Sequence, residues 1–245
     1  MSQMLLIRHG QASFGSTDYD VLSELGVEQS CCLGRYFAET KVRFDAIYCG
    51  PRQRHHDTAA HLRTTAALAD LQIPEPIVLA GLDEFPAFEL VDYWNPILER
   101  EQPELASDLK IGSPRALDVV FQRWASGSLD SGHLETFAQF DQRVRHAIAQ
   151  IQQREGRHRT IAVVTSGGPI VIAARYCLDL SPAKTMSLLW SITNSSMTEV
   201  RYRSPKTRDL IEPSANKNTP NKHSHIGLYS LNRTPHLRRQ QITSR

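Results

Sequence analysis

The stretch Met4-Leu5-Leu6-Ile7-Arg8-His9-Gly10 decides the fold, because four apolar residues lead directly into an arginine, a histidine and a glycine. An apolar run of this length, ended by a turn residue, predicts a buried strand. Arg8 and His9 then lie where the strand leaves the core, at the edge where open α/β sheets place their binding sites. A guanidinium binds anionic oxygens, and an imidazole can attack or carry a proton. The pair therefore predicts an anion site, and a structural histidine after an ordinary strand is the alternative.

The composition of the 245 residues is that of a globular protein, with 40% hydrophobic and 22% charged residues. A net charge of +2 disfavours nucleic-acid binding. No apolar run approaches a membrane span, and Arg8 interrupts the first apolar segment, so we expect neither a membrane anchor nor a signal peptide. The four cysteines have no metal-binding spacing, which favours free thiols in the cytoplasm. They are Cys31, Cys32, Cys49 and Cys177.

Strands and helices alternate along the chain, which predicts an α/β sandwich with a mostly parallel sheet. After the first strand, we expect strands at 44–49, 76–80, 160–165, 197–202 and 226–231. We expect helices at 23–40, 52–69, 135–154 and 170–178. The region 86–156 contains no convincing strand and is interpreted as an inserted helical cap. The segment 203–224 is interpreted as a flexible loop, and 237–245 as a frayed tail.

Four predicted strand ends carry groups that suit a phosphate ester. Arg8 and His9 follow the first strand, Arg52 and Arg54 the second, Glu84 the third, and Ser166-Gly167-Gly168 the fourth. Because parallel strands end at one sheet edge, these groups can converge. Two guanidiniums and the N–H groups of a helix start would bind phosphoryl oxygens, an imidazole would attack phosphorus, and a carboxylic acid would protonate the leaving oxygen. Taken alone, each group has an ordinary structural explanation.

The order and spacing of several motifs resemble the histidine phosphatase superfamily and its phosphoglycerate-mutase-like fold. The motifs are Arg8-His9-Gly10, residues 22–26, residues 48–54 with Thr58-Ala59, Leu82-Asp83-Glu84, and Glu135-Thr136 with Arg143. The resemblance implies one domain over 1–245, built as a three-layer sandwich with about six strands and a helical cap. It implies His9 as the nucleophile that becomes phosphohistidine and Glu84 as the proton donor. It assigns phosphate binding to Arg8, Gln11, Arg54, Ser166 and Gly167, with no cofactor or metal.

The chain departs from this family where Ser166-Gly167-Gly168 replaces the usual His-Gly-Gly. Losing one donor to the phosphoryl oxygens typically slows catalysis on the order of 10²- to 10³-fold. We therefore expect a metal-independent phosphomonoesterase for a small phosphorylated substrate, with a phospholigand-binding pseudoenzyme as the alternative. A mutase is disfavoured because residues 85–89 lack the Arg-Tyr-Gly pattern of glycolytic mutases, and a serine hydrolase is disfavoured because Ser166 lacks a G-x-S-x-G context. A homodimer is left open.

The remaining histidines are interpreted as structural or surface residues. His56 and His61 are five residues apart on a predicted helix and do not share a face, which disfavours a metal site. His236 is interpreted as a packing residue. His55, beside Arg54, could partly replace the missing imidazole near the phosphate, which is the weaker of the two interpretations for this residue.

Overall fold

The protein is described here from a computed structural model, which covers residues 1–13, 20–203 and 226–244. Within these ranges the six strands of the sheet are β1 Ser2–Arg8, β2 Ala46–Cys49, β3 Pro76–Val78, β4 Thr160–Thr165, β5 Met197–Tyr202 and β6 Ile226–Arg233. The α-helices are α1 Glu24–Glu39, α2 Gln53–Ala67, α3 Ala87–Glu101, α4 Pro103–Lys110, α5 Pro114–Ser126, α6 Phe137–Glu155, α7 Gly167–Leu178 and α8 Pro182–Leu189. Short 3₁₀ turns occupy Ala80–Leu82 and Arg239–Gln241.

The strands form one sheet in the order β3-β2-β4-β1-β5-β6. The four strands from β3 to β1 run parallel, whereas β5 and β6 are antiparallel to their neighbours. The two central strands, β4 and β1, are the most continuous apolar runs, as burial on both faces of a parallel sheet requires. The predicted α/β fold with a mostly parallel six-stranded sheet is confirmed.

Side chains of the central strands alternate between two separate hydrophobic cores. Met4 and Leu6 of β1 belong to the core that includes helices α3 to α7, and Ile7 belongs to the core under α1 and α2. Neighbouring residues of β4 divide in the same way, with Val163 on one face and Val164 on the other. Helices therefore cover both faces of the sheet, which gives three layers.

The strand register aligns the carboxyl ends of the four parallel strands at one edge. The His9 N–H donates to the Thr165 carbonyl at 2.9 Å, so the ends of β1 and β4 are level. The Gly50 N–H donates to the Val164 carbonyl at 3.0 Å, and the Leu79 N–H donates to the Cys49 carbonyl at 2.9 Å. The residues that follow the four parallel strands therefore lie side by side along the same edge of the sheet.

The region between β3 and β4 is helical, and it is anchored by aromatic packing beside the sheet edge. Phe85 lies edge-on to Phe121 and stacks on Trp124, with ring centroids 5.1 Å apart in both pairs. Phe140 of α6 lies 5.6 Å from Phe85 on the same centroid measure. No helix in the described ranges is both long and apolar enough to cross a membrane.

Two details of the helices differ from the expectations. Helix α7 begins at Gly167 rather than at Ile170, because proline is tolerated in a first turn whose N–H groups have no helical partner. Helix α8 was not predicted, although Ser181 caps it and Pro182 opens it. The segment expected as a flexible loop, 203–224, lies almost entirely outside the described residues.

The expectation of a frayed tail is wrong for the described residues 237–244. The buried Gln29 of α1 donates from Nε2 to the Gln241 carbonyl at 2.7 Å and to Thr243 Oγ1 at 3.0 Å. The Asn194 N–H donates to the Thr243 carbonyl at 2.7 Å. The tail therefore satisfies polar groups that a buried amide and a buried loop would otherwise leave unpaired.

Candidate active site

His9 lies directly after β1 with only 4% of its surface exposed. Its Nδ1 lies 2.7 Å from the Gly10 carbonyl oxygen, which can only accept, so Nδ1 carries the ring proton. The other nitrogen, Nε2, accepts a hydrogen bond from Arg54 Nε at 3.2 Å. Burial lowers the pKa of His9 well below its usual value, and the charges of Arg54 and Arg8 lower it further. The imidazole is therefore neutral, with the Nε2 lone pair directed towards a guanidinium.

The turn after His9 is shaped by Gly10. A Cβ at this position would lie 2.4 Å from the Gly26 carbonyl oxygen at the start of α1. The Gly10 N–H donates to Thr58 Oγ1 at 3.0 Å, and the Ser195 N–H donates to the His9 carbonyl at 3.0 Å. These contacts hold the nucleophile candidate between α1, α2 and the segment before β5.

Arg54, in the first turn of α2, connects three parts of the site. Besides His9, its guanidinium donates from Nη1 to Asp20 Oδ1 at 2.7 Å and from Nη2 to Ser166 Oγ at 3.4 Å. Asp20 also accepts the Gln53 N–H at 2.9 Å, so one carboxylate orients both the helix start and the arginine. Nothing in the sequence identified Asp20 as part of the site. Arg52, by contrast, pairs with Asp83 at 2.6 Å.

Glu84 is bound to the turn between β4 and α7. Its Oε2 accepts the Gly168 N–H at 3.2 Å, and its Oε1 accepts the Phe85 N–H at 3.1 Å. Burial raises the pKa of the carboxyl, although these hydrogen bonds and the charges of Arg54 and Arg8 oppose the shift. A Cβ at residue 168 would lie 2.0 Å from Glu84 Oε1, so glycine is what allows the carboxyl to approach this helix start.

Ser166 is fully buried at the N-cap of α7. Its hydroxyl does not cap the helix and instead contacts two side chains of α2. Ser166 Oγ lies 2.7 Å from His55 Nε2 and 3.4 Å from Arg54 Nη2. His9, Arg54, Ser166 and Glu84 are thus linked through the residues 166–168, which brings four of the predicted groups to one place.

The other predicted phosphate-binding residues have different surroundings. The Arg8 guanidinium donates to the carbonyls of Ile192 and Ser244, and its charge acts on His9 and Glu84. Gln11 accepts from Ser23 Oγ at 2.9 Å, so its side chain supports the start of α1. Gly167 lies in the first turn of α7, where a Cβ would come within 2.8 Å of Leu189.

The surroundings of the other histidines agree with the expectations only in part. His236 is partly buried, its Nε2 lies 2.9 Å from Ser195 Oγ, and desolvation lowers its pKa to about 4. His55, which we expected as structural or surface and only weakly as a phosphate neighbour, is fully buried against Ser166. Among the described residues, no group of three or more histidine, cysteine, aspartate or glutamate side chains is arranged to hold a metal ion.

The edge of the parallel sheet thus carries a neutral buried histidine, a guanidinium on the free nitrogen of that histidine, and a carboxyl with a raised pKa. These are the kinds of group that bind a phosphoryl group and transfer it to a histidine. The model of the histidine phosphatase superfamily (branch 1) matches residues 4–209. The chain belongs to this superfamily, as the sequence motifs predicted.

Solved structures share the fold at low sequence identity. A mutant phosphoserine phosphatase from Entamoeba histolytica in complex with phosphoserine is 19% identical with a TM-score of 0.62, covering 97% of this chain and 100% of that one. A mycobacterial glucosyl-3-phosphoglycerate phosphatase is 19% identical with a TM-score of 0.55, covering 82% and 90%. A putative α-ribazole-5′-P phosphatase from Escherichia coli is 23% identical with a TM-score of 0.54, and the match covers 81% of this chain and 89% of that one. No curated protein matches the sequence.

Proposed function

We propose that the protein is a metal-independent phosphomonoesterase that acts through a phosphohistidine on His9. The observation that carries the proposal is the state of the His9 ring, whose Nδ1–H is bound to Gly10 and whose Nε2 lone pair faces Arg54. An imidazole held in this tautomer is ready to attack, and the arginine beside it can bind the oxygens of the phosphoryl group. Membership in the superfamily and the phosphatases among its structural neighbours support the same activity.

In the first step His9 Nε2 attacks phosphorus and the P–O bond to the ester oxygen breaks. Glu84, as the carboxylic acid, gives its proton to the leaving oxygen, so an alcohol departs. The raised pKa of Glu84 suits this role, because it keeps the acid protonated over a wider pH range. In the second step the Glu84 carboxylate takes a proton from water, which attacks the phosphorus. The P–N bond breaks, its electrons return to Nε2, and inorganic phosphate leaves.

Arg54 and Arg8, with the N–H groups of the α7 start, would stabilise the phosphoryl oxygens in both steps. Gln11 and Gly167 complete the proposed binding set. Helices α3 to α6, which lie within residues 86–156, would form a cap over the site and select a small phosphorylated substrate. We place the protein in the cytoplasm, a proposal supported by its four free cysteines.

The alternative is a pseudoenzyme that binds a phospholigand without significant turnover. It is favoured by one observation, the buried Ser166 at the start of α7 where the superfamily usually has a second catalytic histidine. Such a protein would keep the arginine-rich site but would not form the covalent intermediate.

Rapid-quench labelling distinguishes the two functions. The protein is mixed with ³²P-labelled p-nitrophenyl phosphate and stopped within milliseconds. We expect a label on His9 that is stable in base and lost in acid, absent from His9→Ala and retained in His61→Ala, a variant of a partly exposed α2 histidine. Binding of the ester without label or turnover would overturn the phosphatase and support the pseudoenzyme.

A further inference from the structure

The backbone around His9 is held by residues from distant parts of the chain. The Gln11 N–H donates to Gln29 Oε1 at 2.8 Å. The His9 carbonyl accepts from the Ser195 N–H at 3.0 Å and from Asn194 Nδ2 at 3.4 Å. Gln29, Asn194 and Ser195 are fully buried. The position of the His9 backbone therefore depends on these three residues.

The C-terminal segment connects these contacts through the hydroxyl of Thr243. Gln29 Nε2 donates to Thr243 Oγ1 at 3.0 Å, and Thr243 Oγ1 lies 3.0 Å from Asn194 Oδ1. Because Gln29 Nε2 can only donate, the hydroxyl accepts from it and gives its own hydrogen to Asn194. The Thr243 carbonyl also accepts the Asn194 N–H, at 2.7 Å. One threonine therefore joins the two side-chain amides that bind the backbone of His9 and Gln11.

Backbone groups fix the orientation of both amides. In Gln29, Oε1 faces a backbone N–H and Nε2 faces the Gln241 carbonyl at 2.7 Å. A reversed amide would place donor against donor and acceptor against acceptor. In Asn194, Nδ2 faces the His9 carbonyl, so Oδ1 is the atom that accepts from the Thr243 hydroxyl. Removing the hydroxyl would therefore take a hydrogen bond from each of two buried amides, which is costly.

The loop before β5 has a strained backbone where it contacts His9. Ser195 has a φ of +58°, in the left-handed region that residues with a side chain adopt at a cost in free energy. Such a conformation persists only where surrounding contacts hold it. The two hydrogen bonds between Thr243 and Asn194, the residue before Ser195, are contacts of this kind.

Arg8, a proposed phosphate-binding residue, contacts the same C-terminal segment. Its guanidinium donates to the Ile192 carbonyl and, at 3.3 Å, to the Ser244 carbonyl. Ser244 directly follows Thr243. Residues 241–244 therefore contact both the arginine before the proposed nucleophile and the amides that hold the backbone after it.

We propose that Thr243 is a positioning residue for the proposed nucleophile and for the arginine beside it. Through the amides of Gln29 and Asn194, it holds the backbone around His9, and it does not itself touch the phosphoryl group. Its kinetic consequence rests on the proposed phosphatase function, whereas the fixed backbone is a property of the folded chain before substrate binds. The C-terminal segment is thus part of the framework of the candidate active site.

Thr243→Val tests the proposal, because it removes the hydroxyl and keeps the size of the side chain. The rate at which His9 is labelled by ³²P-labelled p-nitrophenyl phosphate should fall about tenfold, since a small displacement of a reacting group slows a reaction strongly. Thr243→Ser, which keeps a hydroxyl, should recover most of the rate. The matched control is Thr64→Val, at an exposed position of α2, which should retain the wild-type rate. A wild-type rate in Thr243→Val, or no recovery in Thr243→Ser, would overturn the proposal.

Amide-proton NMR tests the positioning without turnover. The spectrum reports the folded state, so a loss of global stability alone leaves its resonances in place. In Thr243→Val the amide protons of Gln11 and Ser195 should move upfield, because the hydrogen bonds that they donate lengthen. The amide proton of Leu6, within β1, should not move. Unchanged resonances of Gln11 and Ser195 would overturn the proposal. If both move but the wild type never labels on His9, the phosphatase function fails while this inference stands.

Discussion

The position of Glu84, the proposed proton donor, depends on the absence of a side chain at residue 168. Its carboxyl rests on the Gly168 N–H, at the start of α7, with no room for a Cβ between them. The same burial that raises its pKa would be unfavourable for a carboxylate that lacked these N–H donors. Glycine is therefore needed at residue 168 because it leaves space for the Glu84 carboxyl, and not because the backbone there requires extra flexibility.

Gly168→Ala is predicted to lower kcat/KM by about 10²-fold or more, because the methyl group displaces the carboxyl from the leaving oxygen and general-acid catalysis typically contributes this much. In the wild type, kcat/KM should fall as pH rises through the raised pKa of Glu84, since only the protonated acid can donate. This alkaline decline should weaken in Gly168→Ala. Steady-state kinetics from pH 4.5 to 8.5 measure both effects. Gly227→Ala, where a Cβ meets open space, is the matched control. Equal kcat/KM in the two variants would contradict the argument.

At the scale of elements, α6 holds the segment that carries Glu84, the proposed proton donor. Arg143 pairs with both oxygens of Glu135 at 2.8 Å. Its remaining nitrogen, Nη1, donates to the carbonyls of Gly81 and Asp83 at 3.2 and 3.0 Å. One arginine thus connects the start of α6 to the 3₁₀ turn that leads into Glu84, which is the structural role of the motif residues Glu135 and Arg143.

Arg143→Ala should lower kcat about tenfold, with the free energy of unfolding reduced by about 1–3 kcal/mol for the lost charged hydrogen bonds. The matched control is Arg145→Ala on the same helix, whose side chain is 47% exposed and pairs with Asp141 at 3.5 Å. Because the Arg145 guanidinium is largely solvated, its contacts with the mostly buried Asp141 and with the Tyr176 ring should together contribute less than about 1 kcal/mol. The control should therefore lose less stability than Arg143→Ala and should keep wild-type kcat. Kinetics and urea unfolding on the same preparations decide the outcome. A loss of stability with unchanged kcat would show that Arg143 does not position the acid.

The elements that could be predicted are those whose signal is local. Strand β4 was predicted with its observed bounds, because a continuous β-branched run is distinctive. The Ser181-Pro182 start of α8 is an equally local signal, because a serine N-cap followed by proline is typical of a helix start. The tail and Asp20 could not be found in this way, because their partners, Gln29 and Arg54, lie far away in sequence. Burial of a polar group creates the need for a partner, and only the folded chain shows where that partner is.

For the whole molecule, two buried histidines and one partly buried histidine couple the free energy of unfolding to pH. Burial lowers the pKa of His9, His55 and His236, the last to about 4, whereas each has a pKa of about 6.5 in the unfolded chain. As pH falls below about 6.5, the unfolded chain binds protons that the folded chain does not, so the free energy of unfolding decreases. Each histidine contributes up to about 1.4 kcal/mol per pH unit. Glu84 has a raised pKa and acts in the opposite direction, but it is a single group.

The free energy of unfolding should therefore fall steeply between pH 6.5 and 5.5, above the range in which unfolded carboxylates titrate. Urea unfolding at intervals of 0.25 pH unit measures the slope. His236→Gln, a change outside the candidate active site, removes one of the three groups and should reduce the slope by about 1.4 kcal/mol per pH unit at most. The variant should lose stability at pH 7.5 through its altered packing while becoming less sensitive to acid. If wild type and His236→Gln have the same slope, His236 is not held neutral by burial.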